Sequence, residues 1–135
     1  MKRILQKLNE LKDRIDFIER NLKNKKEFLE NRILKKAIYK EFQEAIEIVF
    51  DIISLITKKL GYFNEDDYSN LEKVKNEINL SEKTVKIIKK AKGLRNVLVH
   101  EYDEIIDALA FDSIKRFLPE IKEFYKKIKV WIEKY

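Results

Sequence analysis

From Ile4 to Trp131 the apolar residues of this chain return every three or four positions, the period of an α-helix that buries one face. Ile4, Leu8, Leu11, Ile15, Ile18 and Leu22 form the first such seam and predict a helix. Asn24, Lys25 and Lys26 are expected to turn the chain, and a second periodic stretch runs from about Glu27 to Leu60, where Gly61 stops it. After a polar, acidic loop from Tyr62 to Tyr68, Leu71, Val74 and Ile78 mark a short helix. Ser81 is placed to cap a third main helix carrying Val85, Ile88, Ala91, Leu94 and Leu98. The last helix carries Phe111, Ile114, Phe117, Leu118, Ile121, Phe124, Ile128, Trp131 and Tyr135, with Pro119 inside the pattern, which predicts a kink. Two glycines and one proline in 135 residues leave few places for tight turns. The expected fold class is all-α, a four- to five-helix up-down bundle in a single domain spanning residues 1–135.

The middle of the second stretch is apolar around most of its circumference: Ala45, Ile46, Ile48, Val49, Phe50, Ile52, Ile53, Leu55 and Ile56 exceed what one helix face buries. Its polar residues, Glu47, Asp51 and Ser54, fall at spacings of four and three and make one narrow stripe. Such a helix needs neighbours on two sides, and a homodimer is the expected source of the second.

Composition removes several classes. The absence of cysteine excludes disulfides and thiolate chemistry and points to a cytoplasmic protein. One histidine without cysteine cannot build a zinc site of the usual kind, and no Glu-x-x-His pair is present for a di-iron bundle, so no metal is expected. With glycine only at 61 and 93, phosphate-binding glycine loops are excluded, and no cofactor is expected. No run of about 18 apolar residues exists to span a membrane, and the N-terminal residues become charged too early for a signal peptide. The formal charge of +6 favours polyanionic partners, although a solvated Lys- and Glu-rich surface accounts for it equally well. Lys83, Lys86, Lys89, Lys90 and Lys92 either guide RNA or form an ordinary exposed face. Phe124, Tyr125 and Trp131 are assigned to packing rather than to base stacking.

What remains is Arg95-Asn96-Val97-Leu98-Val99-His100-Glu101-Tyr102, in which the only histidine follows an arginine by five positions at the end of a helix. On a continuous helix five residues amount to about 140° of rotation and about 7.5 Å of rise, so the two side chains diverge. They converge only if the helix ends near Val99, an ending that Asp103 and the change of hydrophobic phase support.

This octapeptide resembles the signature of HEPN domains, an arginine and a polar residue followed by three positions and a histidine, and the x-Tyr after it narrows the likeness to the HepT-like group. Ala45-Ile46-Glu47 with Asp51-Ile52, Gly93-Leu94 and Ile105-Ile106-Asp107 extend the resemblance over roughly residues 27 to 130. It implies a HEPN-type bundle that dimerises and brings two Arg/His pairs into one cleft. It also implies metal-independent cleavage of RNA. Attack by a ribose 2′-hydroxyl needs a proton acceptor, a donor for the leaving oxygen and positive charge on the phosphate. An imidazole, which ordinarily titrates near 6.5, suits the first two roles, here for His100. Arg95 supplies the charge as a bidentate donor. Asn96, Glu47 and Asp51 are candidates to support the pair. HepT-like proteins are toxins partnered by a nucleotidyltransferase antitoxin that adds AMP to the motif tyrosine, which here is Tyr102. The alternatives are a non-catalytic nucleotide-binding or docking module for such a transferase, and a helical adaptor.

Overall fold

The computed structural model describes residues 1–135 and contains helices only. The elements are α1 (Lys2–Asn21), α2 (Lys25–Glu30), α3 (Arg32–Lys59), α4 (Asp67–Val74), α5 (Glu82–His100), a single 3-10 turn (Tyr102–Glu104) and α6 (Asp107–Glu133). The all-α bundle read from the sequence is therefore the observed class.

The stretch expected to be one helix from about Glu27 to Leu60 is two. Asn31 adopts an extended backbone (φ −101°, ψ 100°), and its side chain accepts the amide of Leu34, so a local hydrogen bond replaces helix continuation and starts α3 afresh. Asn24 caps α2 in the same way through Glu27, which places Lys25 and Lys26 inside a helix rather than in a turn. Ser81 does cap α5 by accepting from Thr84, and Gly61 does end α3, at φ 81°. Pro119 lies inside an unbroken α6. The hydrogen bond it cannot make would have gone to the carbonyl of Lys115, on a part of the helix exposed to water.

α3 is the axis of the molecule, with α1, α2, α4 and α5 all packed against it. Ala45, Ile46, Ile48, Val49, Phe50, Ile52, Ile53 and Ile56 are buried within a single chain. This corrects the argument from the apolar circumference of α3 to a homodimer. The second wall that this helix needs comes from α4 and α5 of the same protomer. α6 closes the bundle over α1 and α5, burying Phe111, Ile114, Phe117, Ile121, Phe124, Ile128 and Trp131. Phe124 and Trp131 pack as expected, and Tyr125 packs half-buried at the margin. Each large core side chain contributes about 1.5–3 kcal/mol on burial, so the core rather than the charged surface sets the stability.

The acidic loop before α4 is pinned from inside. The buried Asn70 side chain accepts the Glu65 amide at 2.9 Å and donates to Asn64, whose own amide donates to Ser54 Oγ at 2.8 Å. No helix is long and apolar enough to cross a membrane.

Candidate functional site

The polar stripe of α3 meets a partner at each step. Glu47 accepts from Arg95 at 3.1 Å, Asp51 pairs with Lys7 of α1 at 3.2 Å, and Ser54 is held by Asn64. Two of the expected supports are thereby separated in role. Glu47 is paired with Arg95, whereas Asp51 is paired with Lys7, makes no hydrogen bond to Arg95 or His100, and lines the same cavity as Arg95.

Arg95 is largely covered, with its side chain 22% exposed, and its second anchor is Asn96 Oδ1 at 3.1 Å. The guanidinium therefore has two acceptors, while its Nε is buried without one. An unmatched buried donor costs about 1–3 kcal/mol. The cavity beside it, about 290 Å³, is lined by Ile46, Glu47, Phe50, Asp51, Asp67, Lys92 and Arg95. Lys92 is fixed there by Asp67 at 2.5 Å and lies 4.9 Å from the centre of the Phe50 ring. Three carboxylates thus face two cations. No three His, Asp or Glu side chains come together in a group able to hold a metal ion.

His100 is outside this cavity. α5 ends at His100, one residue beyond Val99, its last turn closed by the Glu101 amide donating to the Val97 carbonyl at 2.8 Å. On the helix, positions 95 and 100 are separated by about 140°, and the hydrogen bonds of the Arg95 guanidinium go to Glu47 and Asn96 rather than to His100. The imidazole is exposed at the C-terminal end of α5.

Tyr102 follows in the 3-10 turn, 46% exposed, with its ring edge-on to Tyr39 at 6.1 Å between centroids. It is the outer member of an aromatic row that continues through Tyr39 and Phe28 to Phe111. Beneath it lies a cluster that sequence reasoning missed. Tyr39 is buried and donates to Asp107 Oδ1 at 2.5 Å, and Lys35 donates to Asp107 Oδ2 at 2.8 Å. Burial, followed by the hydrogen bond to Asp107, pushes the Tyr39 phenol far above its ordinary range. Burial acts to raise Asp107, but the bonds from Lys35 and Tyr39 outweigh it and hold the carboxyl below its ordinary value. Lys35 and Tyr39 are one helical turn apart, but nothing in a single sequence pairs them with a carboxylate 68 positions beyond Tyr39.

The lysines leading to Arg95 are mostly committed. Lys83, Lys89 and Lys92 face Glu120, Glu72 and Asp67, leaving Lys86 and Lys90 exposed without an ion-pair partner.

The helical architecture closely follows that of a HEPN toxin. The Shewanella oneidensis HEPN toxin, solved tri-AMPylated in complex with MNT antitoxin, superposes with a TM-score of 0.84 at 20% identity, over 94% of this chain and 96% of that one. The chain itself belongs to the HepT-like family, described as ribonuclease HepT-like, whose model matches residues 4–128 and so takes in α1, which the motif-based resemblance left out. Two relatives from Archaeoglobus fulgidus are each provisionally named an RNase. One is 28% identical over 115 residues, 84% of either chain, and the other 30% identical over 122 residues, 90% of this chain and 92% of that one.

Proposed function

We propose that the chain is a metal-independent endoribonuclease toxin of a cytoplasmic HEPN/MNT pair, with Arg95 and His100 as its catalytic residues and Tyr102 as the site of silencing by AMP addition. The observation that carries this reading is the arrangement at the end of α5. A guanidinium fixed by Glu47 and Asn96, an exposed imidazole and a half-exposed phenol follow one another within eight residues of a rigid helix and its cap.

In this reading His100 takes the proton of the attacking 2′-hydroxyl or returns one to the leaving 5′-oxygen, and Arg95 neutralises charge on the phosphate as it builds. Because the two groups diverge on one helix, the working pair is Arg95 of one protomer with His100 of a second copy, and the composite cleft of a homodimer completes the site. Glu47 and Asn96 are positioning residues for Arg95. An AMP group on Tyr102, two residues from His100, adds negative charge and bulk where the scissile phosphate has to sit.

The test is cleavage of RNA in EDTA by the purified chain. Wild type is expected to cleave, and folded Arg95→Ala and His100→Ala variants are expected to lose the activity. Equal cleavage by all three assigns the activity to something else. A second reading has an observation of its own: Arg95 lies among carboxylates and away from His100, as a non-catalytic module that docks a nucleotidyltransferase would allow. That reading predicts modification of Tyr102, or nucleotide binding, while RNA stays intact.

A further inference from the structure

Lys36, Tyr39, Lys40 and Gln43 occupy positions i, i+3, i+4 and i+7 of α3 and therefore share one face of that helix. Leu98 of α5 and Tyr102 form the facing wall, and together the six residues line a cleft of about 250 Å³. It contains no carboxylate. The Arg95 cavity has three, and the cleft on the other side of Tyr102 includes Glu30, Asp103 and Asp107. The cations here are weakly neutralised, although Lys36 also borders the acidic cleft on the other side of Tyr102. Lys36 is exposed and has no ion-pair partner, and Lys40, 64% exposed, comes only within 3.7 Å of Glu44. The Tyr39 hydroxyl is committed to Asp107, so the cleft meets its ring. Gln43 brings an amide that donates and accepts, and Leu98 an apolar wall. Two cations, an aromatic ring, an amide and an apolar side chain are the complement of a nucleotide, with its anion, planar base and polar base edge.

We propose that this cleft is the seat of the adenylate carried by Tyr102, with the phosphodiester held between Lys36 and Lys40 and the base against Tyr39 and Leu98. The proposal rests on the reading of Tyr102 as the modified residue and adds where the added group goes. In the transfer, Tyr102 Oη forms a bond to the α-phosphorus of ATP held by the partner transferase. The bond from that phosphorus to the β-phosphate oxygen breaks, pyrophosphate leaves, and the phenolic proton passes to water. At about 250 Å³ the cleft lies below the usual range for drug-sized ligands, about 300–1,000 Å³, so it covers the phosphodiester and one face of a tethered nucleotide rather than enclosing the whole group. A seated adenylate is shielded, and it keeps Tyr102 against Tyr39 with its added charge held at the end of α5, two residues from His100.

Shielding is what the experiment reads. The full chain, wild type or variant, is co-expressed with a candidate nucleotidyltransferase and purified in its modified form. It is then exposed to a phosphodiesterase, and loss of AMP is followed by intact mass. Lys36→Ala/Lys40→Ala is expected to lose AMP about tenfold faster than wild type, the scale set by removing two charge-assisted contacts at an exposed site. Lys36→Arg/Lys40→Arg keeps the protection, and Lys122→Ala/Lys126→Ala, on α6, behaves as wild type. Equal release from wild type and Lys36→Ala/Lys40→Ala overturns the seat while leaving Tyr102 as the modified residue. Unchanged protection together with reduced RNA cleavage by the unmodified double variant assigns the cleft to a substrate nucleotide and also overturns it. Absence of any AMP on wild-type Tyr102 removes the reading on which the proposal stands, and the proposal with it.

Discussion

The two sides of the α5 terminus differ in how their charge is arranged. On the Arg95 side every cation is answered: Arg95 by Glu47, Lys92 by Asp67, and Lys7 answers Asp51. On the Tyr102 side Lys36 and Lys40 project with little or no neutralisation around a cleft without carboxylates. The first side holds one guanidinium between fixed acceptors, and the second leaves two lysines weakly paired. In the proposed reading, positioning and attraction of phosphate are separate jobs, and the catalytic cleft is assembled from more than Arg95's own surroundings.

The largest expected effect tests the positioned side. His100→Ala and Arg95→Ala should each lower RNA cleavage by at least about a hundredfold, the usual scale for loss of a proton-transfer or charge-stabilising group. Arg95→Lys should not restore it, since an ammonium lacks the planar fork that can donate bidentately to phosphate while still anchored on Glu47 and Asn96. Rescue by lysine in a cleavage assay would mean that charge alone, not the fixed fork, is what the site uses.

Next in size is the platform under Tyr102. Tyr39→Phe removes the hydroxyl that donates to Asp107 and should cost about 1–2 kcal/mol in urea unfolding, because the burial of the ring is retained while a charge-assisted hydrogen bond is lost. A loss near zero would show that Lys35 alone satisfies Asp107. Glu47→Gln should cost less, about 1 kcal/mol or below, since the pair is part-exposed. Its larger consequence is expected in cleavage rate, with stability nearly unchanged. The reverse pattern would make Glu47 structural.

The smallest effect is on pH dependence. The folded Asp107 carboxyl is held below its ordinary value, so its contribution is complete above the ordinary carboxylate range and is lost as pH falls through the lower folded value. Tyr39 has the opposite sign: its phenol is raised, so its contribution is complete below the ordinary phenol range and is lost as pH rises into strong alkali. Stability measured against pH should therefore fall at both extremes, and the acid limb should shrink in Tyr39→Phe. An unchanged acid limb would separate Asp107 from Tyr39.

Much of the fold was legible in the sequence because apolar period and capping chemistry are local. The seam from Ile4 to Leu22, the Ser81 cap and the Gly61 stop needed no partner to be read. The break at Asn31 was missed because the apolar pattern continues across it and only a side chain turned back on its own backbone ends the helix. The circumference of α3 was read correctly as needing two walls, but which chain supplies the second depends on how α4 and α5 return. The motif from Arg95 to Tyr102 was legible as a unit, and so was Glu47 as its support. That the Arg95 guanidinium turns to Glu47 rather than to His100 depended on tertiary contact, and so did the Tyr39–Asp107–Lys35 cluster.

The central claim is that Arg95 of one protomer works with His100 of another. Light scattering establishes whether the chain pairs in solution, but the direct measurement is complementation. Inactive Arg95→Ala and inactive His100→Ala proteins are unfolded, mixed, refolded together and assayed for RNA cleavage in EDTA. The account predicts that the mixture regains a substantial fraction of wild-type activity, because mixed pairs contain one intact combination. A mixture that stays as inactive as its components, beside an active wild type, would contradict it.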